Sequence, residues 1–187
     1  AWADTRDRVL KPLIFVLKKA SITPNMVTLM SVTCLLCGCL VFENARWSSF
    51  VLLFLYGFLD SVDGPLSRAT DTSNKGGALL DMVADQMGII LVPAAAIYFL
   101  GASGPLMVIF SGVYLAFIVL IIYANQEQIK IPRFVRIKGV VFLLYGACIY
   151  FQEDWLTPLV VVFTPYYMVM IMIVLRRLYV KLVDIKT

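Results

Sequence analysis

Apolar residues occur in this chain as long blocks separated by short polar stretches. The longest block, residues 86–126, is 41 consecutive positions without Asp, Glu, Lys or Arg. Residues 22–42 and 155–175 are further uncharged runs of 21 each. A helix needs about 20 apolar residues to cross the hydrocarbon core of a bilayer, so each shorter run matches one span and the long one matches two. Gly101-Ala102-Ser103-Gly104-Pro105 divides the long run near its middle, as glycine and proline do between helices. Two more uncharged runs, 47–59 and 139–152, reach spanning length only by extending over charged neighbours. The pattern predicts an all-α integral membrane protein with six transmembrane helices, at about 22–42, 47–69, 76–100, 105–126, 136–152 and 155–178. In lipid every backbone polar group must be satisfied internally, which favours helices over irregular segments.

Residues 1–20 have a different pattern. Val9, Leu10, Leu13, Ile14 and Leu17 recur at near-helical spacing with basic residues between them, as in an amphipathic helix lying on a membrane surface. Thr23-Pro24-Asn25 argues against the alternative, a continuous extension of the first span. The 22–42 run is too long for a signal-peptide core and has no cleavage-like flank, so it reads as a permanent span. With no internal repeat or linker, the expectation is one membrane domain over 1–187, a juxtamembrane helix at 1–20 followed by a six-helix core at 22–178.

Composition agrees: 61% of residues are hydrophobic and 15% charged, against about 45–50% and 25% in soluble domains. Secreted disulfide scaffolds and disordered chains are excluded. The net charge of +4 does not indicate a nucleic-acid partner, because the basic residues follow the membrane map. Arg6, Arg8, Lys11, Lys18 and Lys19 precede the first span. Arg68 and Lys75 lie between the second and third, and Lys130, Arg133, Arg136 and Lys138 between the fourth and fifth. Arg176, Arg177, Lys181 and Lys186 end the chain. All these fall on one side, 15 of 16 basic residues, with Arg46 alone opposite. The positive-inside rule makes that side, and both termini, cytoplasmic.

Eight of the twelve acidic residues occupy loops or tails, among them Glu43; Asp60, Asp63, Asp81 and Asp85 fall inside predicted spans. A charge at a helix centre costs about 2.5–3.5 kcal/mol on insertion scales, and such residues usually mark a site. Asp60 and Asp63 are i,i+3 and Asp81 and Asp85 are i,i+4, so each pair shares a helix face. The short connector makes the two helices antiparallel neighbours, and both pairs lie near the cytoplasmic side. Clustered carboxylates repel and would protonate; one or two divalent cations relieve this. An all-oxygen set without histidine suits Mg²⁺ or Mn²⁺ rather than zinc. The competing reading pairs the aspartates with Arg68 and Lys75, two bases against four acids. Gly64 and Gly77 permit close approach of backbone or ligand, and Arg68, one turn beyond Gly64, suits bidentate contact with phosphate. Together these features suggest metal-assisted phosphoryl chemistry.

The segment from Asp60 to Asp85 resembles the signature of the CDP-alcohol phosphotransferases, the class I CDP-alcohol phosphatidyltransferases: D-x2-D-G-x2-A-R-x8-9-G-x3-D-x3-D. Seven of eight fixed positions match with spacing kept, and Ser67 replaces the alanine. The resemblance implies a six-span fold with an N-terminal surface helix, and a homodimer. It implies that Asp60, Asp63, Asp81 and Asp85 hold the metal, that Asp85 is the general base, and that Gly64, Ser67, Arg68, Asn74, Gly77, Asn25 and Thr28 bind the CDP-linked donor. The activity implied is transfer of a phosphatidyl-type group from a donor such as CDP-diacylglycerol to a small polar alcohol, with release of CMP. An aminoalcohol phosphotransferase, using CDP-choline or CDP-ethanolamine with diacylglycerol, is the alternative within the family. A cation transporter or channel is the alternative outside it, since intramembrane aspartates also line ion paths.

Arg133, Arg136 and Lys138 have two readings. They bind a phosphate on the acceptor, such as glycerol 3-phosphate or inositol phosphate, or they anchor the protein to anionic headgroups. Arg176 and Arg177 are expected to be anchors. Cys34, Cys37 and Cys39 lie within an uncharged span, and with Cys148 are expected to be buried small hydrophobes.

Overall fold

A computed structural model describes residues 2–40, 46–72 and 74–184. Residues 41–45, with Glu43 and the end of the first predicted span, and Lys186 in the tail lie outside the described residues. All regular structure among the described residues is helical, in the order α1 (Trp2–Lys19), α2 (Pro24–Leu40), α3 (Arg46–Ala69), α4 (Lys75–Leu100), α5 (Gly104–Gln126), α6 (Lys138–Phe151) and α7 (Leu156–Asp184). It forms two compact units, Ala1–Leu91 and Val92–Thr187.

Each predicted span corresponds to a described helix, but not every one of these helices is long and apolar enough to cross a membrane by itself. Four have the length and apolar character to cross a membrane: α3 from Trp47, α4, α5, and α7 to Val183. The end of α1 and the described part of α2 qualify only together, as a pair bent by 106°. Helix α6 has 14 residues, about 21 Å at 1.5 Å per residue and short of a hydrocarbon core of about 30 Å. It starts at Lys138, where the sequence pattern predicted about residue 136, because the preceding residues run without regular structure.

In the first unit, local chemistry ends α1 and starts α2. Ser21 takes a left-handed conformation (φ 57°). The Ser21 and Ile22 amides donate back to Lys18 and Leu17, satisfying carbonyls that a helix end leaves without partners. Thr23 Oγ1 then accepts the Met26 amide at 3.3 Å, and Pro24 takes the first helical position, where its missing N–H costs nothing. Leu10 and Ile14 of α1 are buried in a cluster with Val27, Val62 and Leu66, whereas Val9, Phe15 and Val16 are exposed. Helices α2 and α3 pack closely: a Cβ on Gly38 would sit 3.2 Å from Leu52 Cβ and Leu53 Cγ, and Ser49 Oγ donates to the Gly38 carbonyl at 2.5 Å.

The second unit is organised by aromatic side chains between α5 and α7. Tyr167, fully buried, meets Tyr114 edge-on at 5.0 Å and Phe117 at 5.1 Å between ring centroids. Asp154 caps α7 by accepting the Leu156 and Thr157 amides. The four cysteines are free. Cys39 and Cys148 are buried, Cys34 is half-buried and Cys37 is exposed, so the expected burial is corrected for Cys37.

Candidate active site

The aspartates lie where α3 ends and α4 begins. Helix α3 closes with a left-handed Asp71 (φ 51°), whose amide and that of Thr72 turn back to Arg68 and Ser67. Lys18 Nζ donates to the Ala69 carbonyl at 3.3 Å, adding a cation at the negative end of the α3 dipole. Asn74 then caps α4: its Oδ1 accepts the Gly77 amide at 2.8 Å and its Nδ2 donates to the Thr72 carbonyl at 2.9 Å. The eight-residue stretch between Arg68 and Gly77 therefore contains one helix stop and one helix start, each fixed by its own hydrogen bonds.

Carboxylate oxygens of Asp60, Asp81 and Asp85 lie within 4.8 Å of one another. Ligands of an octahedral ion at about 2.1 Å are at most about 4.2 Å apart, so closing on one cation requires movements of less than about 1 Å. The donors are all oxygen, which suits a hard divalent cation. Asp63 is not in this group of three. It is buried, its Oδ1 accepts the Gly64 amide at 2.6 Å, and its Oδ2 accepts the Thr28 hydroxyl at 2.9 Å. Thr28 is itself buried and lies 3.2 Å from the Pro24 carbonyl. The sequence expectation of four converging aspartates thus resolves into a cluster of three and a neighbour held by α2.

A cavity of about 370 Å³ adjoins the cluster. Asn25, Thr28, Gly64, Ser67, Arg68, Asn74 and Gly77, the residues expected to bind the donor, all line it, and so do Asp63 and Asp81. Asp81 belongs to both cluster and cavity. Sequence reasoning missed Thr23, Pro24, Thr72 and Ala78, which also line it; the sequence pattern marks Thr23-Pro24 only as a break between helices. Gly77 has a steric reason, since a Cβ there would lie 3.2 Å from Asn25 Oδ1. Gly64 has a weaker one, with Arg68 Nη1 3.6 Å away.

Arg133, Arg136 and Lys138 belong to the second unit. The Arg136 guanidinium lies 5.6 Å from the centre of the Phe134 ring, and Lys138 Nζ 5.9 Å from that of Phe142. Arg176 and Arg177, with Lys130 and Lys181, line a separate cleft of about 770 Å³.

A model of the CDP-alcohol phosphatidyltransferase family matches residues 21–175. The chain belongs to this family. It is therefore a member of a phosphotransferase family of phospholipid synthesis, with helices apolar enough for an integral membrane protein. It is 28% identical over 109 residues, 57% of this chain and 51% of the relative, to phosphatidylinositol phosphate synthase of Cutibacterium acnes. It is 32% identical over 83 residues (43% and 34%) to the enzyme of the same name from Streptomyces avermitilis. It is also 33% identical over 82 residues (37% and 20%) to an uncharacterised class-I CDP-alcohol phosphatidyltransferase family protein of Dictyostelium discoideum. The match spans between a fifth and about half of the length of these relatives.

Proposed function

We propose that this protein transfers a phosphatidyl-type group from CDP-diacylglycerol to the hydroxyl of a small polar alcohol, releasing CMP. A phosphorylated acceptor, glycerol 3-phosphate or inositol phosphate, is the reading we favour. It is supported by the Arg133, Arg136 and Lys138 cations and by the names of the two bacterial relatives. The single observation that carries the reading is Asp81, shared between a three-carboxylate cluster and a cavity lined by the other motif residues.

In this reading Asp60, Asp63, Asp81 and Asp85 hold one or two Mg²⁺ or Mn²⁺ ions. When bound, the cations neutralise the donor's pyrophosphate and stabilise the departing CMP. Arg68 and the positive end of the α4 dipole at Gly77 and Ala78 add to that field, while Ser67, Asn25, Thr28 and Asn74 border the nucleotide. Asp85 accepts the proton of the acceptor hydroxyl. The acceptor oxygen bonds to the β-phosphorus, the bond from that phosphorus to the bridging oxygen breaks, and its electron pair leaves with CMP.

The membrane arrangement is part of the proposal: one domain over 1–187, six spans, α1 on the membrane surface, termini and site cytoplasmic, two copies per assembly. The one-sided basic residues support the orientation, and the exposed Val9, Phe15 and Val16 support contact of α1 with lipid.

The test offers purified protein, with Mg²⁺ or Mn²⁺, CDP-diacylglycerol and each candidate alcohol in turn, and measures CMP. Release with glycerol 3-phosphate or inositol phosphate is expected. Release only with CDP-choline or CDP-ethanolamine plus diacylglycerol would replace the reading with the aminoalcohol one. Absence of CMP under all conditions, with cation flux into proteoliposomes that depends on the aspartates, would make the protein a transporter or channel.

A further inference from the structure

The nine residues between Gln128 and Lys138, five of them Ile, Phe or Val and three of them basic, pack back against the helices instead of looping away from them. Four side chains of α7 hold backbone groups within this segment and at Glu127 just before it. Lys181 Nζ donates to the Glu127 carbonyl, and Arg177 donates to the Lys130 carbonyl at 2.6 Å. Tyr167 donates its hydroxyl to the Val135 carbonyl at 2.8 Å, and the Val135 amide donates to the Tyr166 hydroxyl at 3.0 Å. As the loop advances from 127 to 135, its partners retreat along α7 from 181 to 166. Fourteen helical residues, from Tyr167 to Lys181, span about 21 Å at 1.5 Å each. Eight loop residues can cover about 26–29 Å when fully extended, so the segment is long enough to follow α7 in the antiparallel direction that these hydrogen bonds mark.

Helix α5 gives an independent measure of the same path. Phe134 meets Phe117 edge-on at 5.1 Å, and Phe117 lies nine residues before the end of α5 at Gln126, about 13 Å back along the helix. The shortness of α6 agrees, since the re-entering segment occupies depth that a longer helix would otherwise span. Irregular backbone is tolerated at bilayer depth only where protein or a water-filled cavity covers it, and here two tyrosine hydroxyls satisfy both polar groups of Val135.

We propose that Ile129–Ile137 re-enters the membrane along α7 and presents Arg133 and Arg136 to an anion below the membrane surface, with Tyr166 and Tyr167 as the positioning residues that hold it there. Both arginines are exposed, and an arginine at depth requires an anion or water. Identification of that anion as the acceptor's phosphate rests on the transferase reading; the re-entry does not.

Two measurements test this. In a variant with the four native cysteines replaced, Val135→Cys carries a fluorophore in nanodiscs whose lipids bear a nitroxide either at the headgroup or along the acyl chain. Stronger quenching by the acyl-chain nitroxide is expected, shifting toward the headgroup nitroxide when Tyr166→Phe and Tyr167→Phe are added. Quenching by the headgroup probe alone overturns re-entry, and an unchanged profile in the double variant overturns the tyrosines' role, whether or not the protein turns over. In steady state, each Tyr→Phe variant is expected to raise the KM for inositol phosphate or glycerol 3-phosphate about fivefold, the value of one hydrogen bond. The kcat and the CDP-diacylglycerol KM stay within twofold. An unchanged acceptor KM, or an equal loss in every parameter, overturns the positioning of the anion site. Absence of CMP release from the unmodified protein would instead refute the transferase reading.

Discussion

Replacing Thr28 by valine removes one hydroxyl and almost no volume, and that hydroxyl lies 2.9 Å from Asp63 Oδ2. Asp63 is 7% exposed, so little solvent is available to replace the lost donor. Hydrogen bonds to a charged group contribute about 1.5–3 kcal/mol. At about 1.4 kcal/mol per factor of ten, the loss corresponds to a decrease of roughly 10- to 150-fold in kcat/KM. If Asp63 holds a metal ion, the loss should appear mainly as a higher Mg²⁺ or Mn²⁺ concentration for half-maximal CMP release. Thr28→Ser, which keeps the hydroxyl, should recover most of it. The assay is CMP release from CDP-diacylglycerol across a metal titration, with thermal unfolding of each variant as the control for folding. A Thr28→Val protein with kcat/KM and metal requirement within twofold of the parent would refute the view that α2 orients Asp63.

Asp85→Asn should lower kcat by about 10²–10⁴-fold, the range for loss of a general base, while nucleotide binding measured by calorimetry persists; undiminished turnover would remove Asp85 from that role. Gly77→Ala places a methyl 3.2 Å from Asn25 Oδ1 and should raise the donor KM several-fold, through displacement of Asn25, without a matching fall in kcat. Asn74→Ala removes the α4 cap at a cost of about 1 kcal/mol, a fall of about 2–4 °C in Tm at this chain length. Asn74→Asp should retain the cap, and equal Tm values for the two variants would show that the Gly77 contact contributes nothing. Chelation by EDTA should abolish CMP release, and readdition of Mg²⁺ or Mn²⁺ should restore it.

Much of the candidate site was legible because its residues are close in sequence. Asp60 to Asp85 lie on two consecutive helices joined by a short turn, and helical periodicity alone sets which side chains share a face. Asn25 and Thr28 entered only through the family resemblance; their arrival at the same cavity follows from the α1–α2 break at Ser21 and Thr23 and from the close packing of α2 on α3. The role of Asn74 also changed, from nucleotide contact alone to helix cap, because capping depends on backbone geometry that a residue list does not carry.

The sequence by itself determined that the chain is helical and apolar enough for a bilayer, and that the four aspartates inside its predicted spans cluster around one turn. Composition and period 3.6 suffice for that, because in lipid each helix must satisfy its own backbone hydrogen bonds. Only the tertiary structure decided that three aspartates form one cluster while Asp63 turns to Thr28, that α6 has just 14 residues, and that Lys130 and Val135 bond to side chains of α7. Each of these depends on hydrogen bonds between residues more than thirty positions apart or on distances between neighbouring helices, and the hydrophobic pattern of one segment records neither.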